Sequence, residues 1–153
     1  MRQVARELRS EIDSALVRLR ALTDADVEAG PGAGTWTRKE ILGHLIDSAA
    51  NNHQRFVRAQ AEDPFIWPGY AQDAWVAVQR YGERPWAELV ELWAALNRHV
   101  AHAIESVPEA KRGTRCVIGS DDPVTLEWLM RDYLAHLRHH LAQILTERAA
   151  RSG

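Results

Sequence analysis

A single cysteine, Cys116, is all the thiol this 153-residue chain carries, so an internal disulfide framework is excluded. The opening residues, Met1-Arg2-Gln3-Val4-Ala5-Arg6-Glu7, lack the apolar core of an export signal. No apolar run approaches the roughly 20 residues needed to span a bilayer, so no membrane partner is expected. Lys and Arg, 19 in all against 21 Asp and Glu, form no dense block, which argues against nucleic acid as a partner. Internal repeats and low-complexity segments are also missing. What is present, 46% apolar residues and a net charge of -2, suits one compact cytoplasmic domain over residues 1–153.

Apolar residues at helical spacing mark four long amphipathic helices. From Arg2 to about Leu22 the stripe is Val4, Leu8, Ile12, Ala15, Leu16 and Leu19. Residues 29–34, rich in glycine with one proline, read as a loop. Thr37 and Glu40 then have capping-box spacing and open a second helix expected to run to about Glu62, with Ile41, Leu42, Leu45, Ala49 and Phe56 inward. Pro64 and Pro68 end it, and Phe65, Ile66, Trp67 and Tyr70 between and beyond them suggest an apolar lid over one end of a bundle. A short helix from Asp73 to about Gln79 precedes a third long one, opened by Pro85 and running to about Val107 with Leu89, Leu92, Trp93, Leu96, Val100 and Ile104 buried. The stretch from Pro108 to Pro123 reads as a crossover holding one extended strand pair, with Cys116 a small buried apolar residue rather than a nucleophile. Thr125 caps the fourth helix, and residues 149–153 are expected to fray.

The fourth helix carries Asp132-Tyr133-Leu134-Ala135-His136-Leu137-Arg138-His139-His140. At about 100° per residue, His136 and His140 lie near the apolar arc of Leu126, Leu129, Tyr133, Leu137, Leu141 and Ile144, whereas His139 turns away. Two imidazoles one turn apart can grip one cation from a single helix. Leu137 stands where a zinc-protease helix places its general-base Glu, so that mechanism is excluded. On the second helix, His44, Asn51 and Arg55 form a polar stripe beside the apolar arc, with Asp47 beyond it. In a four-helix bundle, inward side chains of facing helices make the sites, so His44 can meet His136 and His140. His99 and His102 on the third helix are reserve candidates, read first as edge and surface residues.

Taken together, Trp36-Thr37, His44-Leu45-Ile46-Asp47-Ser48, Asn51, Arg55-Phe56 and His136 to Ile144 resemble the DinB superfamily, specifically its YfiT-like metal-dependent hydrolase branch. The likeness spans about Trp36 to Ile144, including Pro68, Tyr70, Trp75 and Thr125-Leu126-Glu127. It implies an all-α, up-down-down-up four-helix bundle, a homodimer, and zinc or nickel held by three histidines, by motif position His44, His136 and His140. Hydrolysis is one implied activity. Transfer to or from a low-molecular-weight thiol cosubstrate, known among relatives, is the other.

Three nitrogens leave a coordination position open, and the reacting group is then expected to be metal-bound water or a thiolate acting on a small-molecule substrate. Asp47 or Asn51 is expected to orient His44 or the bound ligand, Arg55 to neutralise a substrate anion, and Asp132 to accept the proton of a ligand imidazole. The competing reading is a non-catalytic dimeric bundle that binds metal or a small ligand for storage, sensing or partner contact.

Overall fold

The computed structural model describes residues 1–28 and 35–146. The expected loop at 29–34 and the expected fraying of 149–153 lie outside the described residues. Four long helices dominate: α1 (Arg2–Arg20), α3 (Arg38–Arg58), α5 (Trp86–Ser106) and α6 (Leu126–Leu145). A one-turn α2 (Asp24–Val27) follows α1, and α4 (Gln72–Gln79) follows the first strand, β1 (Phe65–Trp67). Strands β2 (Arg115–Ile118) and β3 (Val124–Thr125) lie in the α5–α6 crossover.

Local chemistry sets most of these boundaries. The Thr37 backbone amide donates to the Glu40 carboxylate at 2.7 Å, and the Glu40 amide donates to the Thr37 hydroxyl at 3.2 Å. This reciprocal pair satisfies two donors that the first turn of α3 otherwise leaves orphaned. Thr125 does the same for α6, its hydroxyl accepting from the Trp128 amide at 3.1 Å. At its far end α3 stops at Arg58, four residues earlier than the periodicity predicts. Ala61 and Glu62 both donate to the Arg58 carbonyl, which tightens the chain before Pro64 turns it into β1. Pro85 is the residue before α5 rather than its first helical one.

Cross-helix contacts fix the direction of each helix. Between α1 and α5, Arg9 pairs with Glu105, Asp13 with Arg98 and Arg20 with Glu91, so one number rises as the other falls and the helices are antiparallel. Between α1 and α6, Arg138 binds Glu7 and Glu11 while Arg18 donates to the Leu145 carbonyl, a parallel arrangement. Between α3 and α6, Arg38 reaches the Thr146 carbonyl and Phe56 meets Tyr133, which is antiparallel again. The order is therefore up, down, down, up.

The predicted stripes of α1, α3 and α6 are all buried, and Trp93, Phe56, Leu8 and Ile104 are among the largest fully buried side chains. Burial of one such side chain stabilises by about 1.5–3 kcal/mol. Leu92, expected inside, is 40% exposed, because Leu89, Trp93 and Val100 already fill the inner face of α5.

The segment expected as a lid is instead the edge of a three-stranded sheet. β1 pairs in parallel with β2, Phe65 opposite Cys116, and β2 pairs antiparallel with β3, Cys116 opposite Val124. Alternation along the pleat buries Phe65 and leaves Ile66 67% exposed, turned largely to solvent. Beyond β2, Gly119 adopts a φ of 61° and lies against Gly69, where a Cβ would come within 3.4 Å of the Gly69 nitrogen. The left-handed backbone and the close approach both select glycine there.

Candidate metal centre

His44 lies in the second turn of α3, facing α6, and its side chain is fully buried. His136 and His140, one turn apart on α6, are half-buried. One ring nitrogen from each of the three comes within 4.8 Å of the others. The Nε2 atoms of His44 and His136 are 3.1 Å apart, and the ring centroids are separated by 5.0 Å for His44–His136, 4.8 Å for His44–His140 and 4.5 Å for His136–His140. Trp36 closes one side, its ring 5.0 Å from that of His44.

Burial, followed by the neighbouring imidazoles, pulls the His44 pKa down to about 4. His136 is likewise pulled to about 4 by burial, then by His140 and His139. His140 is also lowered, by burial, against the opposing effect of its hydrogen bond to Gln143. All three are therefore neutral near pH 7 and carry a free lone pair. The Nδ1 of His140 contacts Gln143 Oε1 at 2.8 Å, which selects the tautomer protonated there and leaves Nε2 as the acceptor.

These donors fit a borderline divalent cation. Two nitrogens of a tetrahedral ion at about 2.0–2.1 Å stand about 3.3 Å apart, close to the separation of the two facing Nε2 atoms. Neutral imidazoles suit zinc, nickel and copper alike.

The other predicted residues divide between two places. Asp47 is 3% exposed and accepts hydrogen bonds from the Tyr81 hydroxyl at 2.7 Å and from the Gln79 amide, so it braces the turn after α4 instead of orienting His44. The Asn51 amide donates to the Asp47 carbonyl at 3.0 Å and is thereby turned along its own helix. Among the described residues the Nδ1 atoms of His44 and His136 are buried without a hydrogen-bond partner, and Asp132 does not reach either of them.

Arg55 and Asp132 do share a cavity of about 360 Å³ that reaches His136. Tyr70, expected in the lid, also lines it, as do Ser48, Asn52 and Asp121, none of which the sequence reading assigned a role at the site. The available signal was angular: Ser48 and Asn52 lie about 40° and 80° round the helix from His44, on the opposite shoulder from Asp47 and Asn51. Arg55 contacts Asn52 Oδ1 at 3.4 Å and has no ion pair among the described residues. Burial lowers its pKa, while Tyr70 and Asp121 work in the opposite direction, and a guanidinium remains charged throughout. Burial, then the Asp47 charge, pushes the Tyr70 hydroxyl up to about 12, so it stays protonated as a donor.

A four-helix bundle with three imidazoles converging from two antiparallel helices offers the donor set that a divalent metal centre needs, and the sequence family agrees with that fold. The DinB superfamily model matches residues 7–144, and the chain belongs to that family. Among individual relatives, YfiT of Bacillus subtilis is 25% identical across 99% of this chain and 83% of its own length. OB0413 of Oceanobacillus iheyensis is 21% identical across 87% and 76% respectively, and both relatives bear the name "Putative metal-dependent hydrolase". The solved structure of Bacillus subtilis YfiT, described as an unusual four-helix bundle topology, superposes with a TM-score of 0.77 at 22% identity, covering 94% of this chain and 81% of that one.

Proposed function

We propose that the chain is a metal-dependent enzyme whose His44, His136 and His140 hold one divalent cation, zinc or nickel, and whose substrate is a small molecule entering through the cavity beside His136. The reaction class is hydrolysis, as the relatives' names suggest, or transfer involving a low-molecular-weight thiol. The observation that carries the reading is the convergence of three neutral imidazole nitrogens within 4.8 Å, one of them on His136, which lines a polar cavity. Three protein ligands, rather than four, are the pattern of a site that keeps a position for an exchangeable group.

A divalent ion there supplies Lewis acidity to an oxygen or sulfur group sharing its coordination. The chain's own residues do the rest. Arg55, without a carboxylate partner among the described residues, binds and orients an anionic group on the substrate. The Tyr70 hydroxyl donates a hydrogen bond into the same cavity. Asp132, its carboxyl raised by burial, takes up a proton more readily than an ordinary surface carboxylate.

Elemental analysis of protein purified without a histidine tag tests the site, and the expected result is about one tightly held metal per chain, lost in His136→Ala. Less than about half an equivalent, unchanged by His136→Ala, would overturn it. Metal-loaded protein offered an electrophilic substrate with and without each thiol then separates the two reaction classes. Turnover that needs no thiol assigns hydrolysis, and turnover that needs one assigns transfer.

A further inference from the structure

A second pair of imidazoles lies well away from the first. His53, half-buried on α3, and His99, exposed on α5, bring their Nε2 atoms to 3.1 Å, with ring centroids 4.8 Å apart. His53 follows His44 by nine residues, which places it about 13 Å further along α3 and about 180° round it. The two histidine groups therefore face different neighbours, α6 for His44 and α5 for His53.

We infer that His53 and His99 form a second, independent cation site, a two-histidine clamp for a divalent transition metal that ties α3 to α5. The Nε2–Nε2 separation equals that of the His44–His136 pair and admits either one shared proton or one shared cation. No carboxylate bonds to either ring among the described residues, so neither imidazole is held in its charged form by an ion pair. Burial, then His99, keeps His53 below the usual imidazole range, which preserves its lone pair at neutral pH. Because His99 is exposed, water completes the coordination, and two nitrogens in place of three make this the weaker site. Soft thiolate-seeking ions are disfavoured, and zinc, nickel and copper fit. His102, one turn beyond His99 with its ring centroid 6.4 Å away, stands outside the pair.

The clamp separates cleanly from the triad by experiment. Equilibrium dialysis of tag-free protein against zinc sulfate is expected to give two zinc ions per chain in the wild type and one in His99→Ala. His99 is exposed in mid-helix, where alanine is the best helix former, so this variant keeps its fold. The double variant His136→Ala/His140→Ala is expected to retain one zinc, lost when His99→Ala is added and kept when His102→Ala is added. Nickel added to that double variant should broaden the imidazole proton resonances of His53 before those of His139. Wild-type stoichiometry unaltered by His99→Ala, or zinc uptake abolished by His102→Ala with His99 intact, would overturn the clamp.

Discussion

His44 is an imidazole that the folded chain accepts only in its neutral form, and this makes acid stability a property of single residues. In the metal-free protein, His44 and His136 titrate at about 4, against about 6.5 for an unfolded imidazole. Between those values the unfolded chain binds protons that the folded chain refuses, so stability is full above pH 6.5 and is lost as pH falls towards 4. Urea midpoints of metal-free protein should therefore drop steadily from pH 7 to pH 4.5, and by less in His136→Gln. A flat profile would contradict the burial of these rings. Asp47 gives a second residue-scale expectation. Replacing it with alanine removes the acceptor shared by the buried Tyr81 hydroxyl and the Gln79 amide and leaves the hydroxyl only Gln79 Oε1 at 3.0 Å, so urea unfolding should show a loss of about 1–3 kcal/mol. The positions of His44, His136 and His140 were legible because i, i+4 spacing and an apolar stripe fix which way a helical side chain turns. The partner of Asp47 was not, because a helical wheel gives angles about one axis and says nothing of which neighbour, α6 or the turn at Tyr81, stands at each angle.

At the level of elements, α3 packs against α5, α6, α4 and the turn at residues 81–83, and at Gly43 its backbone comes close to that turn. A Cβ on Gly43 would fall 2.1–2.6 Å from three carbons of the Tyr81 ring. That ring is buried and tethered to Asp47, so it cannot swing aside without giving up its hydrogen bond. Alanine is favoured over glycine in a helix by about 1 kcal/mol. Overpacking a core usually costs about 1–3 kcal/mol, and a clash this deep outweighs the helix gain. Gly43→Ala should lower the urea midpoint and shift the near-ultraviolet signal of Tyr81, whereas a stabilised variant would mean that α3 and the turn are free to separate. The long helices were legible from 19 to 21 residues of repeated spacing each. The sheet was legible only in part, since strands of two to four residues hold too few positions to reveal a period of two, and the pairing of β1 with β2 spans distant stretches of chain.

For the molecule as a whole, the triad is a cross-brace. His44 belongs to a helix running down and His136 and His140 to one running up, so a cation bound by all three links segments more than 90 positions apart in the chain, as the separation of 92 between His44 and His136 shows. Such a preformed constellation does not survive unfolding, so metal binding adds directly to folding stability. With free metal at about 100 times the dissociation constant, the linkage is worth about 2.7 kcal/mol. For a chain of this length each kcal/mol moves Tm by about 2–4 °C, so saturating zinc or nickel should raise Tm by roughly 5–10 °C. The rise should grow with the logarithm of metal concentration above the dissociation constant and reverse with a chelator. In His136→Ala the share owed to the triad should vanish, because two remaining imidazoles on opposite helices hold the ion less tightly, and only the smaller contribution of the weaker His53–His99 pair should remain. Metal that binds in stoichiometric amount yet leaves Tm unmoved would mean that it sits on a surface equally present in the unfolded chain, and the brace between α3 and α6 would have to be abandoned.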